Sequence, residues 1–258
     1  MNRTPLFLLP LTVLAAALLS PGAGARSLAE IKASGTLRVA TSGDVPPFTM
    51  LDGERYRGYE PELLEAVAAT LGVKVSYQTA TPDQFVRLLN EDRVDLAFGA
   101  QGITSTRENK VDFTVPVACA GVSVVSFDPK LQKHTDLVGK TIAVGAGSIM
   151  HSFVQKLPFE KKVNVYPTSG DVLYAVISKA VDATFAYTIM QPSVKKMFPK
   201  ADIHFGPELW SVPIGLMVRE DNVSTRTALN GAIERYMGTT SYAFLTQKYF
   251  RKDVRCKL

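Results

Sequence analysis

Arg107 is the residue around which any chemistry in this chain would be built. It ends the run Gly99-Ala100-Gln101-Gly102-Ile103-Thr104-Ser105-Thr106-Arg107. Two glycines there let the main chain approach a guest, and Thr104 can cap a turn of helix behind them. A guanidinium on that turn offers a two-pronged donor set matched to a carboxylate, and the free N–H groups of a helix start add to the same attraction. Gln101, Gly102, Thr104 and Arg107 are therefore candidate ligand-binding residues. An isolated Arg usually sits in water, so the elements that would hold this one decide the matter.

The run follows a buried-strand pattern at residues 94–98, which places it at the carboxyl edge of a parallel sheet, where open α/β sheets bind their ligands. Upstream, a short amphipathic helix ends at Gly35 and a strand covers residues 36–41. The loop Ser42-Gly43-Asp44-Val45-Pro46-Pro47-Phe48 follows, its backbone fixed by two prolines so that it can hold side chains over a pocket. Asp52-Gly53 suits a hairpin. Apolar residues at Leu63, Leu64, Val67, Ala68 and Leu71 then mark a helix closed by Gly72, a strand covers 73–77, and Pro82 opens a helix to Leu89.

The second half repeats this grammar. Gly139-Lys140-Thr141-Ile142-Ala143-Val144 echoes Gly35-Thr36-Leu37-Arg38-Val39-Ala40, and Val181-Asp182-Ala183-Thr184-Phe185 echoes Val94-Asp95-Leu96-Ala97-Phe98. Two β-rich runs without a neighbouring helix, about 117–127 and 212–219, fall where the chain would pass between the repeats. They are read as paired crossing strands forming a hinge. The fold class expected is α/β with two lobes: lobe 1 discontinuous over 26–120 and 213–258, lobe 2 over 124–211. Helices at 224–236 and 241–250 return to the first lobe.

Composition bounds the function. With 46% hydrophobic and 21% charged residues over 258 positions, the chain can bury a substantial core. Residues 1–25 have a positive start at Arg3, an apolar run over 6–19 and the small-residue site Ala23-Gly24-Ala25, the pattern of a cleaved secretory signal peptide. No Cys follows the run, so lipid attachment is not indicated. Removing Arg3 with the leader leaves a net charge one below the +5 of the whole chain, with basic residues spread out, which argues against nucleic acid as a partner. His134, His151 and His204 lack metal-ligand spacing. Cys119 and Cys256 could close one long loop in an oxidising compartment or remain two thiols.

In order along the chain, Gly35 to Thr41, Pro46-Pro47-Phe48, Gly58-Tyr59-Glu60, Val94-Asp95-Leu96-Ala97, Ile103-Thr104-Ser105-Thr106-Arg107 and Val111-Asp112-Phe113 resemble family 3 of the bacterial extracellular solute-binding proteins. The resemblance covers nearly the whole chain after the leader. It implies a two-lobed periplasmic binding protein of type II with two hinge strands, acting as a monomer without a cofactor. Such a protein delivers a small carboxylate-bearing solute to an ABC transporter permease in the inner membrane.

Carried over by position, the resemblance makes Arg107 the carboxylate-binding arginine. Gly102 stands where a Ser or Thr usually helps it. Gly147-Ser148-Ile149 falls on a Gly-Thr-Thr segment that meets the carboxylate from the second lobe, so Ser148 keeps a hydroxyl and Ile149 only a main-chain donor. Tyr187 falls where an Asp generally pairs with the ligand's ammonium. A phenol ionising near 10 cannot supply that charge. Val45 replaces a frequent aromatic. These departures imply a carboxylate-bearing guest without that ammonium, whose charge would be poorly compensated in the closed cleft, in a pocket lined by Phe48, Phe85 and Tyr187 with Asp44 as the remaining nearby acid. Trp210 and Met150 are read as core.

Two further readings follow from the same resemblance. The Thr-Ser-Gly-Asp loop is reminiscent of cyclohexadienyl dehydratase, although the acid expected near Tyr187 for a dehydration is missing. A periplasmic accessory or sensory protein of the same fold, such as relatives beside quinoprotein dehydrogenases, would also tolerate the altered site.

Overall fold

The computed structural model describes residues 25–256, so the leader read at 1–25 lies, but for Ala25, outside the described residues. The chain forms two lobes, each built on its own sheet. The first sheet runs, in spatial order, Lys74–Thr79, Thr36–Thr41, Leu96–Phe98, Met217–Val218 and Asp112–Phe113. Its first three strands are parallel and Met217–Val218 joins antiparallel. Leu37, Val39, Leu96 and Phe98 are buried, as expected of parallel strands covered on both faces. The helix Tyr59–Leu71 packs on this sheet through Leu63, Leu64, Val67 and Ala68 and stops at Gly72, whose φ of 77° suits only a residue without a Cβ constraint. Arg26 and Arg38 both pair with the buried Asp95, which fixes the start of the strand that leads to the candidate site.

The second sheet runs Lys162–Tyr166, Thr141–Gly145, Ala183–Tyr187, Ala118–Ser126 and His204–Phe205, with Trp210–Ile214 also paired to Ala118–Ser126. Ala118–Ser126 leaves the first lobe and, after a stretch paired only with Trp210–Ile214, enters this sheet where Val122 faces Tyr187. Trp210–Ile214 returns beside it in antiparallel register, from Trp210 opposite Val122 to Ile214 opposite Ala118.

The second crossing is not one continuous strand over 212–219. The ladder ends at Ile214, where Gly215 donates to the Gln101 carbonyl (3.0 Å) and Leu216 to the Thr114 hydroxyl (3.1 Å). The chain thereby changes sheets before Met217. Pro82 likewise opens a single 3₁₀ turn, Pro82–Gln84, before the helix Phe85–Asn90. Cys119 and Cys256, left open by sequence, are joined with their Cα atoms 4.9 Å apart. Constraining a loop of 137 residues is worth about 5 kcal/mol in the chain-entropy account.

Candidate ligand-binding cleft

The strand Leu96–Phe98 ends in a turn that the main chain adopts under constraint. Gly99 has φ 147°, and Ala100 lies at φ 53°, in the left-handed region that disfavours a Cβ by about 1–2 kcal/mol. Glu60, on the first turn of Tyr59–Leu71 and fully buried, holds this turn by accepting the Ala100 N–H on both carboxylate oxygens (3.0 and 3.1 Å). Burial pushes the Glu60 carboxyl up to about 8, against the opposing pull of the Ala100 and Gly99 N–H groups.

Arg107 sits on the one-turn helix Ser105–Glu108, capped by Thr104, whose hydroxyl accepts the Arg107 N–H at 3.4 Å. Its guanidinium donates from Nη1 to the Gly102 carbonyl (2.8 Å) and from Nη2 to the Gly147 carbonyl across the cleft (2.7 Å). Burial lowers its pKa from the ordinary value and Tyr187 opposes that, but an Arg at any physiological pH keeps its charge. Gly102 has no room for the hydroxyl side chain that the resemblance would place there. A Cβ would stand 2.7 Å from Val212 Cγ1, 3.0 Å from Ile149 Cδ1 and 3.4 Å from the Tyr187 oxygen.

The second lobe meets this wall at three points besides. Gly147, at φ 70°, comes so close to Asp83 that a Cβ would lie 3.0 Å from its main-chain nitrogen. Tyr187, at the end of Ala183–Tyr187, donates its hydroxyl to the Ala100 carbonyl at 3.1 Å. Asp44 accepts the Gly170 N–H on Oδ2 at 3.0 Å. Burial raises the Tyr187 phenol above its usual range although Arg107 pulls it down, so it remains neutral. Ser148 caps the helix Ile149–Gln155 by accepting the His151 N–H at 3.1 Å. A hydroxyl used as an acceptor still has its proton to donate.

Between the walls lies a cavity of about 120 Å³, far more than the ~10–15 Å³ that one water needs. Asp44, Gln101, Arg107, Ser148, Ile149 and Tyr187 line it, with Val45, Pro82 and Met150. An apolar arm continues into the second lobe past Val125, Val144, Val172, Met190, Val194 and Phe205.

Four expected site residues do not line the cavity: Phe48, Phe85, Thr104 and Gly102, the last of which meets the site through its carbonyl on Arg107. Phe48, fully buried, packs against Tyr59, Tyr187 and Phe250 with ring centroids 5.2–6.3 Å away, so it supports the Tyr187 ring from behind. Phe85, also fully buried, belongs to the core cluster of Leu88, Leu89 and Val94. Both sit on the inner faces of elements whose apolar surface must be covered before any is left for a guest. Thr104 serves the helix cap and does not line the cavity. Trp210 stacks on Phe153 at 4.3 Å in the second lobe, whereas Met150, read as core, forms part of the cavity wall. Sequence reading missed Glu60 as a support and the apolar arm entirely. Glu60 had a signal, an acid in the midst of the buried Gly58-Tyr59-Glu60 helix start. The arm had none, because its valines read as ordinary strand and helix core.

This is the architecture of a two-lobed solute receptor. Residues 37–252 match the bacterial extracellular solute-binding proteins, family 3, and the chain belongs to that family. It is 24% identical over 231 residues to the L-cystine-binding protein TcyJ of Escherichia coli (strain K12), covering 88% of this chain and 87% of that one. It superposes on the structure of an ancestral arginine-binding protein bound to arginine with a TM-score of 0.79 and 28% identity, over 84% of this chain and 98% of the other. A cyclohexadienyl dehydratase of Pseudomonas aeruginosa is also similar, 24% identical over 199 residues that span 72% of this chain and 74% of that enzyme. Most of these similar proteins are amino-acid-binding proteins, several named as parts of ABC transporters.

Proposed function

We propose that the protein captures a small carboxylate-bearing solute, an amino acid or related organic acid, between its lobes and delivers it to an ABC permease in the inner membrane. It works in the periplasm as a monomer, after removal of the leader, and does no chemistry on its guest. One observation carries this reading. Arg107 projects its guanidinium into the cavity wall, and its two hydrogen-bond partners are main-chain carbonyls, not acids. A full positive charge in a largely apolar cavity favours an anionic guest, and a carboxylate can use the remaining N–H donors.

The lobes supply the switch. A solute that touches Arg107 on one wall and Ser148 on the other favours the closed arrangement by its contacts to both. Calorimetry of the purified protein against amino acids, keto acids and aromatic acids tests this. Binding of at least one carboxylate that is lost in Arg107→Ala supports the reading; full affinity in that variant overturns it. The similarity to a dehydratase motivates one direct assay, incubation with prephenate followed by ultraviolet absorbance. Turnover there would replace the binding role with an enzymatic one.

A further inference from the structure

We propose that the guest is an acid with a short hydrocarbon tail, and that the tail enters the core of the second lobe through the apolar arm of the cavity. The acid end rests on the reading of Arg107 given above; the tail is argued from the arm alone. Val125, Thr184 and Phe205 are paired directly across the second sheet and so share one of its faces. Val172 on the helix Ser169–Ile177 and Val194 on the helix Gln191–Met197 belong to the same apolar cluster as Val125, with Met190 and Phe205 packed against it. The cavity reaches all of these side chains. The arm is therefore a gap between sheet and helices, continuous with the Arg107 wall. Interiors leave few voids larger than a water, and a gap joined to a charged cleft is space a guest can fill.

The arm is also poor in hydrogen-bonding groups. Its strands commit their main chains to the ladders, Thr184 being paired with Val125 on one side and Ala143 on the other. The Thr184 hydroxyl is spent on the Ala143 carbonyl at 2.7 Å. Ser123, opposite Ala186, is buried and does not line the cavity. Ser169 does, but it stands beside the Gly170 held by Asp44, at the cleft end of its helix. A water inside would want two to four polar partners, and a polar tail would give up its own hydration without replacement. Hydrocarbon loses nothing there. The whole cavity, about 120 Å³, is somewhat smaller than the ~150 Å³ apolar cavity that takes up benzene, so the tail is short.

Calorimetry with isosteric pairs tests this: 4-methylpentanoate against succinamate, and L-leucine against L-asparagine, in each of which a branched methyl end replaces a carboxamide. One pair has an ammonium and the other lacks it, so the comparison does not depend on how Asp44 is used. Within at least one pair the hydrocarbon member is expected to bind about tenfold or more tightly. Across straight-chain acids from butanoate to octanoate, affinity should climb about fourfold per methylene until the arm is full. Val172→Ala, which removes two methyl groups from the arm wall, should move the end of that climb up by about one carbon or more. A purely structural role for Val172 would leave it in place.

Equal or tighter binding of the carboxamide members, a flat chain series, or an end of the climb unmoved in Val172→Ala overturns the proposal; if affinity is still lost in Arg107→Ala, the carboxylate reading stands. A tail preference that survives at full affinity in Arg107→Ala overturns the carboxylate reading and leaves the arm its role. No binding by any of these compounds overturns both. The wild-type comparisons decide even if Val172→Ala does not fold.

Discussion

The two walls of the cleft are made of different material. The first-lobe wall carries the charges, Arg107 and Asp44, with Glu60 buried behind them. The second-lobe wall offers main-chain groups at Gly147 and Gly170, two hydroxyls at Ser148 and Tyr187, and an apolar arm of valines, Met190 and Phe205. Charged recognition demands rigid placement, and the first wall has it, from a buried carboxyl group, a cap and the loop at Gly43, where a Cβ would lie 2.8 Å from the Tyr56 ring. The second wall has the parts suited to covering a guest already bound. On the proposed reading, recognition and closure are divided between lobes that share one folding plan.

This division can be broken from either side. Arg107→Ala should raise the dissociation constant of the best carboxylate about 10²–10³-fold, roughly 3–4 kcal/mol by calorimetry, while Arg107→Lys restores part of it as a single point charge.

Glu60 gives the largest effect on stability, read against pH. It holds its proton in the folded protein up to about pH 8, whereas its ordinary value is 4.5. Its contribution to stability is therefore complete below about 4.5 and declines as pH rises towards 8, on the order of 5 kcal/mol in all. Denaturant titrations between pH 4.5 and 8.5 should show this decline in the wild type and a flatter profile in Glu60→Gln. Equal slopes would mean that the first wall is not backed by a buried acid.

Gly102→Ser probes the seam between walls. The new side chain meets Val212, Ile149 and Tyr187, and overpacking of this kind costs about 1–3 kcal/mol. A lower melting temperature with a larger radius of gyration by small-angle scattering is the expected outcome. Ser148→Ala, on the covering wall, should be mildest, about 1 kcal/mol from the lost helix cap and less than a tenfold loss of affinity. A larger loss than that of Arg107→Ala would reverse the assignment of roles.

Much of the fold was legible before coordinates. The repeat of strand and helix patterns placed the two parallel cores, and Gly35, Gly53 and Gly72 marked turns that all have positive φ. The loop after Phe98 and the strand end at Tyr187 could be singled out because open α/β sheets bind ligands at their carboxyl edge, which is a topological matter; Arg107 lies beyond that edge on its own helical turn. The aromatics were not, since Phe48 and Phe85 carry the same apolar signal whether they face a guest or a core, and only packing decides. The break at Gly215 was hidden for a related reason. A β-rich run from 212 to 219 does not say which sheet each residue joins, and that depends on partners, Gln101 and Thr114, more than a hundred residues away.

Cys119 stands opposite Pro213 at the root of the two-stranded ribbon, and its bond to Cys256 stitches that root to the C-terminal segment, reinforced by the Cys119 N–H on the Val254 carbonyl. At the far end the ribbon is gripped again, where Val122 faces both Trp210 and Tyr187. Between these two grips the main chain of Ala120 and Gly121 is held by its ladder to Val212 and Ser211. Reducing the stitch would leave the root of the ribbon tied to the C-terminal segment by that Cys119 N–H bond.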